Sequence, residues 1–378
     1  MKKNIMVTFM CFATLCGAAF ATEQKIPVVY FTRDISPDGL RRAYDALNWT
    51  PNGNVGVKIS TGESAKTNYL RPEFIKDLVA HVNGTIVECN TAYPGTRNDT
   101  ESHWTAIRER GFMDIANVDI MDADGEIPLE VDNGRRLNEN YVGNHFGSYG
   151  SFLVLSHFKG HQMAGYGGAL KNISIGMASS SGKAWIHSGG TSRDNMWGGD
   201  QTAFLESMAD AAKSVTESKG RDNMAYINVL NRISIDCDCN ANPAEPDIHD
   251  IGILASIDPV AIDQAGIDMV SKAENNEKLM ARIADRNGLH ILESAEQLGI
   301  GSREYTLIDL DADEQVPLSR GVPAGQGVEF RPRGDGDLAV APAEAGGAVI
   351  NSSNKDDVVP LDTPTPEQYT NVPESTEN

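Results

Sequence analysis

The chain has 378 residues, 40% of them hydrophobic, and a formal net charge of −21. That acidity argues against nucleic acid and anionic membrane surfaces as partners, since both are polyanions, and it favours solubility and a tolerance of cations. The length is generous for one core, so one large or two closely packed lobes are expected. After the opening residues no segment is long and apolar enough to span a bilayer.

Met1-Lys2-Lys3 leads into an apolar run from Ile5 to Ala18, and Ala19-Phe20-Ala21 closes it as a small-x-small cleavage site. This is the pattern of a secretory signal peptide cleaved near Ala21–Thr22, which sets the expected address as the periplasm or the exterior. Cys16 raises a lipoprotein alternative, against which Leu15 is bulkier than a lipobox prefers. Cys11 and Cys16 leave with the leader, so Cys89, Cys237 and Cys239 remain. Their odd number, and the two-residue spacing of the last pair, argue against a disulfide framework.

From Ile26 strand-like and helix-like pieces alternate. Strands are expected at Ile26–Thr32, Val55–Ser60, Thr85–Cys89 and Val118–Asp122, with helices at Asp38–Leu47, Arg71–Val82 and Thr100–Gly111. Ser36 and Pro37 read as N-cap and first helical residue. The apolar run Phe152–Leu155 reads as a buried strand. Thr202–Lys219 reads as a helix ending at Gly220, and strands follow at Ala225–Leu230 and Ile251–Ala255. Asp258-Pro259 opens another helix, Lys278–Arg286 and Glu293–Leu298 two more, and Tyr305–Leu310 closes as a strand. Such alternation predicts an α/β fold with mostly parallel sheet and flanking helices over residues 22–310. Residues 311–378, rich in Pro, Gly and acidic residues, read as a disordered tail.

The candidate site follows the Phe152–Leu155 strand, where α/β folds bind ligands. His157, His161 and His187 share about thirty positions with Lys159, Lys171 and Lys183. Gly165, Gly167 and Gly168 allow close backbone approach to a cofactor, or a turn with positive φ. On a helix His157 and His161 would share one face, although Gly160 weakens that reading. Lys171 suits an anion ligand or, if desolvated, a covalent anchor; the alternative is a surface lysine. Asp236-Cys237-Asp238-Cys239, with His249 ten residues on, offers thiolate, imidazole and carboxylate, a set that suits zinc or a similar ion; the alternative is a strand end with two incidental thiols. Asp258 is accounted for as a cap, Asp263 is a functional candidate, and Arg33, Arg97 and Glu88 near strand ends could meet an acidic or polar ligand, with a structural or solvated role the better expectation for each.

SHFKGH, AGYGGALKN, SSSGKAWIH, DCDC and DIGILASIDPVAIDQAG together resemble the domain-of-unknown-function family 362 over roughly Val28–Leu310. Many members carry a ferredoxin-like four-cysteine insert, but Ser188–Asn223 contains no cysteine, so no ferredoxin-type 4Fe–4S cluster is expected. The His161–Lys171–His187 order, spaced ten and then sixteen, also resembles the nickel-pincer lactate racemase family. That resemblance implies His161 as general base, Lys171 as cofactor anchor and His187 as metal ligand. It also implies a second catalytic histidine in a Gly-x-His-Arg-Pro-like turn, whereas Gly95-Thr96-Arg97-Asn98 has none and His103 is not aligned.

The reading is therefore a secreted α/β protein acting on a small polar molecule by metal- or cofactor-linked redox or isomerising chemistry. His161 and Lys171 are its catalytic candidates, and Lys171, Gly165, Gly167 and Gly168 its cofactor contacts. His187, Cys237, Cys239 and His249 are candidate ligands for nickel or zinc. The rival is a periplasmic protein that binds a metal or ligand without turnover.

Overall fold

The structure, a computed structural model, describes residues 26–312 and 317–320. The expected leader with its cleavage site, and nearly all of the expected tail, lie outside the described residues.

The first half comprises β1 (Val28–Thr32), α1 (Pro37–Ala46), β2 (Val55–Lys58), α2 (Pro72–His81), β3 (Gly84–Glu88), α3 (Thr100–Glu109) and β4 (Val118–Ile120). Then come β5 (Glu126–Glu130), β6 (Glu139–Gly143), β7 (Ser151–His157), β8 (Lys159–His161), β9 (Gly165–Gly167), α4 (Ala169–Ser174), α5 (Ser180–His187) and α6 (Gln201–Lys219). The remainder is β10 (Met224–Leu230), β11 (Gly252–Ser256), α7 (Pro259–Val270), α8 (Glu277–Asp285), α9 (His290–Gln297), β12 (Thr306–Asp309) and β13 (Pro317–Arg320). Local chemistry sets several boundaries. Ser36 accepts the Gly39 N–H ahead of Pro37, and Asp258 accepts those of Val260 and Ala261 around Pro259. Helix α6 ends at Gly220, whose φ of 84° disfavours a side chain.

Nine strands form one sheet in the order β13-β12-β1-β11-β10-β7-β2-β3-β4. From β10 to β4 every neighbouring pair is parallel. β1 is parallel to β12, while β11 opposes both β10 and β1, and β13 opposes β12. The mostly parallel α/β architecture is thus the observed one. Of the two exceptions, β13 is an edge strand, and β11 is reached from β10 by a loop without a crossover helix, so it returns antiparallel.

Side-chain alternation splits the core into two layers. Phe152, Val154, Met224 and Tyr226 face one layer, with apolar residues of α4 to α9. Leu153, Leu155, Ala225 and Ile227 face the other, with those of α1, α2 and α3. Strands buried on both faces read as continuous apolar runs, which is why β7 and β10 are conspicuous in the sequence.

The topology positions the site. From β2 the chain winds outward through β3 and β4, whereas β7 and β10 build on the other side of β2. Connections diverge at the β2–β7 junction, and in open α/β sheets a crevice forms at such a point beyond the carboxyl ends. Lys58, Glu88 and His157 are the last residues of β2, β3 and β7.

His157 and His161 do not share a helix face, because the chain continues as β7 and then as a β8–β9 hairpin. Short glycine-bearing strands of three residues carry no periodic signal, and the β5–β6 hairpin escaped the sequence reading for want of clear alternation. Pro317–Arg320, inside the expected tail, pairs as an edge strand with β12. Asp311 also accepts hydrogen bonds from Thr32 Oγ1 and the Arg33 N–H at 2.8 and 2.7 Å, and from Arg42 at 2.9 Å. Ending the chain after Leu310 is therefore expected to lower the thermal midpoint by ~3–6 °C relative to ending it after Arg320. Differential scanning calorimetry of the two truncations checks this, and identical midpoints would mean that the strand and Asp311 contribute nothing.

Candidate functional site

A pocket of about 650 Å³, mouth included, opens beyond the carboxyl ends of β2, β3 and β7. Its wall carries five basic side chains, Lys58, Arg97, Lys159, Lys171 and Lys183, against two carboxylates, Glu88 and Asp238. In a chain of net charge −21 this is a local reversal of sign.

Most of these charges are paired. Glu88 Oε2 lies 3.2 Å from Lys58 Nζ, and Oε1 accepts from the Thr61 N–H at 2.7 Å and from Arg97 Nη1 at 3.3 Å. Burial opposes the charge, yet Lys58, Arg97, His103 and the Thr61 N–H prevail and hold the Glu88 carboxyl well below its ordinary range. Arg97 also pairs with Glu63 at 3.2 Å and donates to the Tyr93 hydroxyl at 2.9 Å. Asp238 accepts from Lys159 at 2.8 Å and lies 3.1 Å from His157 Nδ1. Burial again opposes the charge, and Lys159 and His157 again overcome it, so Asp238 is held well below the carboxylate range. His157 Nε2 meets the Asn231 carbonyl at 2.7 Å, so both its nitrogens face oxygen acceptors.

Lys171 is the exception. Its half-buried side chain lines the pocket from α4, and among the described residues Nζ has no hydrogen-bond or ion-pair partner. Burial, then the charges of Lys159, Arg97 and Lys58, lower its pKa from the usual lysine value to about 7, with Asp238 opposing. Two features hold it there. A side chain at Gly167 would press on Lys171 Cδ at 3.1 Å, so glycine leaves room for the lysine stem. The buried Asp263 carboxylate accepts the first N–H groups of α4, from Ala169 at 2.7 Å and Leu170 at 2.9 Å, and the Asn228 amide at 2.7 Å. Burial raises its pKa to about 6 in spite of those donors. A Cβ at Gly168 would sit 2.3 Å from Asp263 Oδ1, so that glycine serves the close approach. Asp263 is thus a positioning residue for Lys171. Gly165, expected at a cofactor, instead turns the β8–β9 hairpin at φ 81° and packs against Ile283 and Gly288, outside the pocket wall.

The loop between β10 and β11 closes one side. Gly160 donates its N–H to the Ser234 carbonyl at 2.9 Å, Glu63 to Asp238 at 2.7 Å, and Ser64 Oγ to Ala241 at 2.6 Å. This loop carries Cys237 and Cys239, which are joined by a disulfide with Cα atoms 5.2 Å apart. The sequence argument against a bond at this spacing is therefore corrected, since that separation lies within ordinary disulfide reach. Bonded sulfurs are not thiolate ligands, so this pair would hold a metal only after the bond is reduced. His249 is exposed and does not join them. The imidazole beside them is His161, one ring nitrogen of which lies within 4.8 Å of both sulfurs.

The two remaining histidines hold opposite tautomers. His161 Nδ1 accepts the N–H groups of Ala164 at 2.9 Å and Met163 at 3.2 Å, so the neutral ring carries its hydrogen on Nε2. Burial, then Lys171, His187 and Lys159, keep its pKa well below the usual histidine value. It therefore presents a donor and not the lone pair a base requires. His187 Nδ1 donates to the Lys183 carbonyl at 2.7 Å, which leaves Nε2 with a lone pair, and its ring stacks on Phe204 at 4.7 Å. Burial, followed by the charges of Lys171 and Lys183, lowers it to about 4 against the Lys183 carbonyl bond. Each of these histidines feels the Lys171 charge, but neither is on the pocket wall that Lys171 lines. His103 is buried in α3 against Asn90 and is not on the pocket wall.

Lys58, Glu88 and Arg97 are the residues that sequence reasoning undervalued. Lys58 had a readable signal: a lysine at the end of a wholly buried four-residue strand needs a partner. Arg33 is outside the pocket, paired with Asp309 at 2.7 Å.

A match to the family described as domain of unknown function, DUF362, spans residues 55–268, and the chain belongs to that family. No curated protein matches it. Among solved structures it is similar to the lactate racemase apoprotein from Thermoanaerobacterium thermosaccharolyticum, with a TM-score of 0.39, 12% identity and 66% of this chain covered. It is also similar to a protein from Thermotoga maritima, with a TM-score of 0.32, 12% identity and 69% of this chain covered. The match extends over 57% and 58% of those two chains.

Replacing Lys58 with Met strips Glu88 of its nearest cation and is expected to cost roughly 3 kcal/mol. Because the folded Glu88 pKa is depressed, its stabilisation is full above the unfolded value of about 4.3 and fades as the pH falls below it. Urea unfolding of Lys58→Met at pH 7 and pH 3 should thus show a deficit that shrinks on acidification, and a deficit independent of pH would contradict the pairing.

Proposed function

We propose that this DUF362 member takes up a small organic anion in the basic pocket and that Lys171 captures a carbonyl group of that anion through its neutral amine. The observation that carries the reading is Lys171 Nζ, unpartnered among the described residues and set among four other basic side chains at the pocket wall. A lysine is a nucleophile only when deprotonated, and a desolvated lysine beside other cations is deprotonated near neutrality. With a pKa of about 7, half the Lys171 population is free amine at that pH. Amine and carbonyl would condense to an imine with loss of water, while Lys58, Arg97, Lys159 and Lys183 hold the anionic end. A carboxylate in the pocket would relieve the unbalanced positive charge.

A second reading follows from the His187 tautomer. The captured carbonyl compound is a resident cofactor if it never leaves: Lys171 would anchor it, and His187, although not on the pocket wall itself, keeps on Nε2 the free lone pair a divalent transition metal needs. Such a group would supply redox chemistry at the pocket. His161, as a donor, does not fit the base in that scheme, and His249 does not fit as a ligand. For the compartment we propose the periplasm or the exterior, which the Cys237–Cys239 disulfide supports.

Treatment with pyruvate and cyanoborohydride, followed by peptide mapping, separates the outcomes. The expected result is one stable adduct, on Lys171, whose formation rate rises with a midpoint near pH 7 and which is lost in Lys171→Arg. Labelling spread over surface lysines with a midpoint near pH 10 would contradict the capture step and leave reversible binding without chemistry. Intact mass and metal content of protein from its own host test the resident cofactor: an added mass on Lys171 with one metal per chain supports it, and an unmodified chain without metal contradicts it.

A further inference from the structure

We propose that Cys237–Cys239 is a redox-active disulfide at the pocket wall, opened and re-formed by exchange with a small thiol that carries carboxylates. Both cysteines line the same pocket as the lysines, with Cys237 buried and Cys239 partly exposed. A bridge across one intervening residue constrains the unfolded chain less than any longer loop, so stapling the fold is a poor reason for it. Its surroundings are those of an exchange centre. The Cys239 backbone N–H donates to Cys237 Sγ at 3.1 Å and is placed to hold negative charge on that sulfur. A His161 ring nitrogen lies within 4.8 Å of both sulfurs, and the N–H groups of Met163 and Ala164 hold that ring in place. Asp238, between the cysteines, is neutralised by Lys159 and His157, so it does not repel an incoming anion as a bare carboxylate would.

The geometry sets the direction of attack. A thiolate in the pocket reaches the more exposed Cys239 Sγ; its sulfur bonds there, the disulfide breaks, and the electron pair departs on Cys237, which then takes a proton. A second thiolate attacks the small molecule's sulfur in the mixed disulfide, and Cys239 leaves and is protonated. In sum, two thiols become one small disulfide, the protein disulfide becomes two thiols, and two electrons pass from the small molecule to the protein; re-oxidation is the reverse. The carboxylates of the thiol would sit against Lys171 and Lys159. The inference rests on the anion-binding part of the proposed function but not on amine chemistry at Lys171.

The test uses the folded full chain, opened under native conditions by mercaptosuccinate or by neutral 2-mercaptoethanol, with alkylation and mass spectrometry counting free thiols. Opening to two thiols is expected, at least tenfold faster per thiolate with mercaptosuccinate, and that preference should collapse in Lys171→Met and at high salt. Cys237→Ser, incubated instead with the disulfide of mercaptosuccinate, should hold one mercaptosuccinate on Cys239 as a mixed disulfide and release the other as the free thiol. A bond that neither thiol opens without unfolding would overturn the proposal, as would a pair isolated reduced around one metal ion. Equal rates for the two thiols would overturn the anionic partner while leaving the Lys171 adduct, read separately with pyruvate, unaffected.

Discussion

Two buried carboxylates govern the site. Glu88 ends β3 and Asp238 lies in the loop after β10, and each is ionised only because cations and N–H groups surround it. Removing a charge from water is costly, and the cost is offset here by Lys58 and Arg97 on one carboxylate and by Lys159 and His157 on the other. These pairs tie together segments far apart in sequence. Glu88 joins β2, β3 and the loop carrying Arg97, while Asp238 joins the loop after β10 to the β7–β8 turn. The pocket lies where those ties leave the switch point between β2 and β7 unfilled.

Lys171 and Lys183 are the surplus. Lys183 has settled on a backbone carbonyl, that of Ala178. Lys171 has not, and its low pKa follows from position alone: a half-buried ammonium among cations, with the nearest carboxylate committed elsewhere. Asp263, Gly167 and Gly168 fix that position by shaping the start of α4. The same excess of positive charge that deprotonates the amine attracts an anion. Binding and reactivity at this pocket therefore have a common electrostatic origin.

Much of this was legible in the sequence, and the reasons for the remainder are physical. The strand and helix alternation and the Ser36 and Asp258 caps follow from local pattern. For Lys171 the sequence left two readings open, a desolvated lysine and a surface one, and only the fold shows it half-buried among cations. The ion pairs were not legible, because Lys58, Glu88 and Arg97 meet only through the sheet, and no local window contains them together. The Cys237–Cys239 bond was misjudged because spacing alone says little about how the turn at Asp238 orients the two side chains. The tautomers of His161 and His187 depend on backbone groups whose directions only the fold defines, and they reverse the role expected of His161.

The central claim is that one lysine in this chain is a neutral amine near physiological pH. The direct measurement is a pH titration, by NMR, of protein labelled at lysine Cε and Nζ. One resonance should titrate near pH 7, vanish in Lys171→Arg and move to higher pH on adding a small dicarboxylate such as malonate. A spectrum in which Lys171 titrates with the surface lysines, close to pH 10.5, would contradict the account.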